Sequence, residues 1–67
     1  MTMTNTYNNY IAQRAEVLKF LKAGGQHTAQ DISKATGFGV WPVRQHCEDL
    51  RRAREVFHNR ATDEYSA

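Results

Sequence analysis

The chain has 67 residues, a formal net charge of +2 at pH 7 and one cysteine, Cys47. This length suits one domain near the lower limit for chains that fold without staples, and a lone cysteine excludes an internal disulfide and favours a reducing compartment. No apolar run approaches the roughly 18 residues that suggest a membrane span, and the polar N-terminus does not resemble a signal peptide. We therefore expect a cytoplasmic protein of one domain.

The N-terminal region combines a polar tail with an amphipathic helix. Residues 1–7 are rich in Thr and Asn and are expected to be disordered. A first helix is predicted from about residue 9 to residue 23, with Asn8 or Asn9 as its N-cap and Gly24-Gly25 at its end. Apolar residues at helical spacing predict its buried stripe, which consists of Ile11, Ala15, Leu18 and Leu21, flanked by Val17 and Phe20.

A short second helix is predicted over about residues 29–36. Thr28 is a suitable N-cap, and Asp31 occupies the position of the capping-box partner, although its side chain is shorter than the usual Glu or Gln. Gly37 can adopt a positive φ and end the helix. Ile32 and Ala35 are expected to face the core.

A third helix is predicted over about residues 41–53. Pro42 is expected near its first position, where the N–H that proline lacks would have no partner, and this places Trp41 close to the N-cap. The indole ring then either points outward from the leading end of the helix or folds back over the first helix or the turn. The predicted buried stripe is Val43, Cys47 and Leu50. The opposite, polar face carries Trp41, Arg44, Gln45, Glu48 and Arg52.

Two short helices joined by a tight glycine-containing turn form the layout of a helix-turn-helix. The segments TAQDISKATGFG and VRQHCEDLRRAREV resemble the winged helix-turn-helix domains of bacterial and phage transcription regulators. The resemblance covers residues 14–56, with matching residue types at Thr28, Ile32, Ala35, Gly37, Phe38, Val43, His46, Leu50, Ala53 and Val56.

The resemblance implies a mainly α, α+β fold in which three helices precede a short β-hairpin wing. The wing is expected over about residues 55–66, with its turn near residues 60–63. The sequence departs from the family where the recognition helix ends, because Arg54-Glu55 stand where a glycine is usual.

In such domains the third helix enters the major groove and the wing lies beside it. The resemblance therefore implies a sequence-specific regulator that binds double-stranded DNA. The side chains expected to contact base edges are Trp41, Arg44, Gln45 and Glu48. Those expected to contact the DNA backbone are Thr28, Lys34, Arg51, Arg52, His58 and Arg60. The alternatives are an ion pair between Arg44 and Glu48 at i+4 and simple solvation of the cationic side chains.

Patterns typical of catalysis or cofactor binding find little support in the sequence. His27, His46 and His58 are scattered, and no closed set of four ligands has the spacing of a zinc site. Cys47 lies on the predicted buried stripe, where it acts as a small apolar residue rather than a nucleophile. We therefore expect neither an enzyme nor a bound metal or cofactor.

The first of two functions that remain open is a small DNA-binding regulator of the kind that phages, prophages and plasmids encode. The arginines between Arg44 and Arg60 favour this function. The protein is then expected to be a monomer or a weak homodimer that can pair on DNA. Tyr7 and Tyr10 offer a dimer surface or, alternatively, complete the core.

The second function is a protein-interaction module. Such a module would bind a host protein, for example RNA polymerase or a repressor, through Val40 and Trp41. Glu48 on the polar face of the third helix favours this alternative. Its carboxylate repels phosphate unless it contacts a cytosine amino group or restrains an arginine.

Overall fold

The computed structural model describes residues 6–67 of the chain and the side chains of residues 9–67. It contains three helices, α1 (Thr6–Lys22), α2 (Ala29–Thr36) and α3 (Val40–Arg52), and three strands, β1 (His27–Thr28), β2 (Phe57–Asn59) and β3 (Glu64–Ser66). The predicted α+β fold of three helices followed by a β-hairpin is confirmed. None of the helices in this part of the chain is long and apolar enough to cross a membrane.

The first helix begins earlier than predicted. α1 starts at Thr6, so Asn8 and Asn9 lie inside the helix and neither is its N-cap. Two residues assigned to a disordered tail, Thr6 and Tyr7, are therefore helical, and residues 1–5 of that tail lie outside the described residues. The end of α1 at Lys22 agrees with the predicted stop before the two glycines.

The buried face of α1 also differs from the predicted stripe. Val17 and Leu21 are buried, but Ile11 is 37% exposed and Ala15 is exposed. Polar side chains occupy the N-terminal half of the buried face, so the spacing of apolar residues could not identify it.

These polar side chains form a cluster between α1 and α3. His46 is fully buried, its Nε2 lies 3.1 Å from Gln13 Oε1, and its ring centroid lies 4.4 Å from that of Tyr10. The Tyr10 hydroxyl donates to the Asp49 carboxylate, which also lies 3.9 Å from Arg14 Nη1. Tyr10 is thus half-buried against α3, as expected if it completes the interior of the domain.

The buried imidazole predicts that acid destabilises the protein. Burial lowers the pKa of folded His46, so between that value and the ordinary one the unfolded chain binds more protons. We expect the free energy of unfolding to decrease as the pH falls below about 6.5, with a slope of at most about 1.4 kcal/mol per pH unit, the limit for one proton. Urea denaturation between about pH 8 and pH 5 measures this slope.

His46→Gln removes the titrating group and retains a polar side chain opposite Gln13, so its slope is expected to be shallower. His27→Gln is the matched control, because half-buried His27 lies on β1 outside the polar cluster. Equal slopes for the wild type and His46→Gln would show that His46 does not account for the acid sensitivity.

The limits of α2 agree with the prediction because local interactions fix both ends. The Asp31 N–H donates to Thr28 Oγ1 at 3.1 Å, and the Thr28 N–H donates to Asp31 Oδ2 at 3.2 Å. The shorter carboxylate therefore completes the capping box. At the other end, Gly37 has a φ of 83° and its N–H donates to Ser33 O at 2.8 Å.

Burial on α2 is only partly as predicted. Ile32 is buried, but Ala35 is exposed, and Ala29 faces the core instead. Side chains three residues apart on a helix, such as Ala29 and Ile32, point in directions that differ by about 60°, and each further step of three adds another roughly 60° in the same sense. Ala35 therefore lies about 90° from the centre of the buried face.

The third helix starts one residue earlier than predicted. Gly39 is its N-cap, so Trp41 is the second helical residue and Pro42 the third. The prediction of Pro42 at the first position is wrong by two residues. Proline is nevertheless tolerated there, because the first helical N–H groups have no carbonyl partner one turn earlier. The first helical bond is donated by the Val43 N–H to Gly39 O at 3.0 Å.

A left-handed residue ends α3 without a glycine. Arg54 has a φ of 64°, its N–H donates to Arg51 O at 3.0 Å, and the Glu55 N–H donates to Leu50 O at 2.9 Å. This pair of bonds is a complete Schellman motif, in which the left-handed position usually holds glycine. Arg54 thus performs the turn that the resemblance assigns to a glycine.

Replacing the left-handed arginine is expected to stabilise the domain. Arg54→Gly removes a steric cost of about 1–2 kcal/mol and adds about 0.5–1 kcal/mol of backbone entropy cost, for a net gain of about 0.5–1 kcal/mol. Urea denaturation measures the change. Arg52→Gly is the control, because the same substitution within the helix is expected to cost about 1 kcal/mol. A loss of stability in Arg54→Gly would contradict the left-handed turn.

The strands form one antiparallel sheet in the order β1-β3-β2. In β3, Tyr65 pairs with His27 of β1 on one side and with His58 of β2 on the other. The hairpin of β2 and β3 lies within the predicted wing, and its turn occupies residues 60–63 as predicted. The strand β1 was not predicted, because two residues are too few to show an alternating pattern.

The three helices and the sheet enclose a single core. Its buried members are Val17, Leu21, Ala29, Ile32, Val43, Cys47, Leu50, Val56 and Tyr65, and the partly buried residues packed against them are Leu18, Phe20, Phe38 and Val40. The predicted stripe on α3 is confirmed. The opposite, polar face of α3 is exposed or half-buried.

Candidate nucleic-acid interface

The leading end of α3 presents a large aromatic side chain to solvent. Trp41 is 75% exposed, and Gln45, one turn later, is also exposed. The alternative in which the indole ring folds back over α1 is therefore wrong. Val40, which precedes the tryptophan, is partly buried against the core and anchors this end of the helix.

Arg44 contacts the hairpin rather than its own helix. Its Nη2 lies 3.4 Å from Asp63 Oδ2, so the alternative ion pair with Glu48 is not formed. Asp63 stands at the last position of the hairpin turn, with a φ of 58°, and its Oδ1 lies 2.8 Å from His58 Nε2. The His58 ring in turn stacks on Tyr65 with centroids 4.5 Å apart and an interplanar angle of 21°.

The Arg44–Asp63–His58 contacts bring opposite charges together at the junction of helix and hairpin. The hydrogen bond from His58, followed by the charge of Arg44, lowers the pKa of the Asp63 carboxyl. The carboxyl is thus ionised near neutral pH and accepts hydrogen bonds on both oxygens. We call Arg44, Asp63 and His58 the clasp.

Glu48 binds two arginines on the same helix. Its Oε2 accepts from Arg51 Nε at 2.9 Å and also from Arg51 Nη2, and it lies 3.8 Å from Arg52 Nε. The hydrogen bond from Arg51 lowers the pKa of Glu48. Of the predicted possibilities for Glu48, the structure shows restraint of an arginine. Both guanidinium groups keep further N–H donors that face solvent.

A cleft of about 400 Å³ separates α3 from the hairpin, and its lining residues are Glu48, Arg51, His58 and Arg60. Three of these were predicted backbone contacts, and the fold brings them together although they come from two elements. The side chain of Arg52 is 73% exposed and lies next to the cleft, because it contacts Glu48 in the cleft lining.

The two remaining predicted backbone contacts lie at the two ends of α2, Thr28 in β1 just before the helix and Lys34 in its last turn. Thr28 is the N-cap of α2, and its hydroxyl oxygen accepts the Asp31 N–H. Lys34 is exposed in the last turn of the helix.

Two contacts, one in the site and one in the interior, were not predicted from the sequence. No pattern in the sequence indicated the contact of Asp63 with Arg44, which lies 19 positions away. The hairpin register needed to bring them together cannot be inferred from composition. His46 matched the family pattern, but no apolar or charge pattern indicated its burial against Gln13.

The described region, residues 6–67, contains one cysteine, Cys47, which is buried in the core. Burial raises the pKa of Cys47 to about 12, which keeps the thiol protonated and unreactive near neutral pH. No group of three or more His, Cys, Asp or Glu side chains in this region is placed to hold a metal ion.

The fold and the polar surface of α3 are the features from which a function can be inferred. Comparisons with family models, with curated proteins and with solved structures found no match to this chain.

Proposed function

We propose that the protein is a small sequence-specific DNA-binding regulator whose third helix enters the major groove. The observation that carries the proposal is the continuous surface formed by α3, the clasp and the cleft. The side chains of the clasp, of the cleft and of the ion pairs of Glu48 include four arginines, Arg44, Arg51, Arg52 and Arg60, and two carboxylates, Glu48 and Asp63. A net positive surface of this kind attracts the DNA backbone.

The dimensions of the helix support this mode of binding. α3 has 13 residues and is therefore about 20 Å long, and the major groove is about 12 Å wide and admits one helix. Its first turns carry Trp41, Arg44 and Gln45, and no other helix or strand of the described region covers the indole ring, which is 75% exposed. An arginine can donate two hydrogen bonds to guanine and a glutamine can pair with adenine, while an aromatic ring can contact a thymine methyl.

The hairpin supports the placement of a wing beside this helix. Arg60 stands at the start of its turn, on the far side of the cleft from Arg51. In this arrangement Arg51, Arg52 and Arg60 hold phosphates, whereas Arg44 and Gln45 contact base edges. Lys34 on α2 adds a further backbone contact.

The decisive experiment is selection of bound sequences from a random double-stranded DNA library, followed by titration of the enriched sequence at several salt concentrations. We expect one motif to be enriched and, for three or four phosphate contacts, a slope of log K against log salt of about −3 to −4. Trp41 is the only tryptophan, so its fluorescence reports binding and should become protected from iodide. An inverted repeat in the motif would indicate pairing of two copies on DNA.

A protein-interaction module is the second candidate, and the 75% exposure of Trp41 favours it. Tryptophans are enriched among the anchoring residues of protein interfaces. This alternative predicts no enriched DNA motif. Binding to a host protein through Val40 and Trp41 is then expected to depend weakly on salt, because an apolar anchor releases few counterions.

A further inference from the structure

We propose that Asp63 is a positioning residue for DNA recognition: from the hairpin turn it orients Arg44 so that the remaining N–H donors meet a guanine edge. This inference rests on the proposed function of α3. Sequence preference at the base pair contacted by Arg44 would then depend on the clasp and not on α3 alone.

A chain of contacts leads from the core to the guanidinium group. Tyr65 is only 4% exposed, and His58 stacks on its ring. His58 Nε2 lies 2.8 Å from one oxygen of Asp63, and the other oxygen lies 3.4 Å from Arg44 Nη2. The carboxylate is therefore held on one side by a ring packed on the core, and it restricts Arg44 on the other side.

The turn itself does not require a carboxylate at this position. Asp63 has a φ of 58°, a conformation that glycine adopts without steric cost and asparagine also tolerates. A negative charge beside a DNA-binding helix weakens binding to every DNA sequence. A group that lowers general affinity can nevertheless raise specificity, because specificity is a difference between two affinities.

The donors left on Arg44 suffice for base recognition. A guanidinium group has five N–H donors in a planar fork, and Asp63 engages one of them. The others include two adjacent donors that can pair with O6 and N7 of guanine. Because the side chain is ordered before binding, less rotamer entropy is lost when the pair with guanine forms.

The test replaces Asp63 with Asn in the full chain. Asparagine keeps the shape and tolerates the left-handed turn, but it removes the charge. Affinity is measured for the selected DNA and for a copy in which the guanine contacted by Arg44 is changed to adenine. We expect the preference for guanine to fall about fivefold, as part of the discrimination of a bidentate pair, while unrelated DNA is bound about twofold more tightly.

Two further variants isolate the clasp. His58→Phe keeps an aromatic ring against Tyr65 and removes the hydrogen bond to Asp63, so it should cause a smaller loss of the same preference. In an Arg44→Ala background, Asp63→Asn should leave the preference unchanged. In the free protein, the NMR signal of the Arg44 Nε–H should be sharp in the wild type and broadened in Asp63→Asn.

The opposite results have distinct meanings. If Asp63→Asn tightens binding to both DNA molecules equally, Asp63 only competes with phosphate and the inference is wrong. If it weakens both equally and lowers Tm, its role is structural and the inference is again wrong. Failure of the wild type to prefer any sequence would refute the proposed function itself, and it would be evident before any variant is compared.

Discussion

Leu50→Ala is expected to lower the free energy of unfolding by about 2–5 kcal/mol, because it leaves a cavity in a closely packed interior. Leu50 is 3% exposed and lies in the core, on the face of α3 opposite the proposed DNA interface. Such a loss is comparable with the total stability of a small domain. Urea denaturation or thermal melting by circular dichroism measures it.

Ile11→Ala is the control for this substitution, because it also shortens an aliphatic side chain on a helix. Ile11 is 37% exposed on α1, so truncation leaves no closed cavity and should cost less than about 1 kcal/mol. Two outcomes would contradict the packing described here. One is normal melting of Leu50→Ala, and the other is a loss in Ile11→Ala as large as that in Leu50→Ala.

Features set by contacts between residues close in sequence were predicted correctly, and features that depend on contacts between distant elements were not. The limits of α2 were predictable because Thr28, Asp31 and Gly37 set them through contacts between residues only three or four positions apart. Val43, Cys47 and Leu50 of α3 were predictable because they are apolar and recur at helical spacing, whereas buried His46 on the same helix was not. The face of α1 was not, because its N-terminal half is buried by polar side chains that match partners on α3, and a hydrophobic pattern does not detect them.

The candidate site shows the same division. The restraint of arginines by Glu48 follows from spacings of three and four residues on one helix. The contact between Arg44 and Asp63 depends instead on the hairpin register and on a left-handed residue in its turn. An i+4 partner for Arg44 was available in Glu48, but Arg44 contacts Asp63, and Glu48 contacts Arg51 and Arg52.

Arg44→Ala and Arg52→Ala form a charge-matched pair that separates base recognition from backbone binding. Arg44 projects from the first turns of α3, where a helix approaches the bases most closely. Its loss should weaken binding to the selected DNA by about 1–3 kcal/mol and relax the preference at one base pair. Repeating the library selection with the variant measures the preference, and titration measures the affinity.

Arg52 lies in the last turn of α3, and its side chain is 73% exposed. Its loss leaves Glu48 paired with Arg51, so the rest of the surface is retained. Arg52→Ala should therefore weaken binding to all sequences about equally and reduce the magnitude of the salt slope by about one. Because both variants lose one positive charge, a difference in sequence preference cannot arise from net charge alone. If both act alike and Arg44→Ala keeps the wild-type motif, α3 is not the element that contacts the bases, and the protein-interaction function becomes the better proposal.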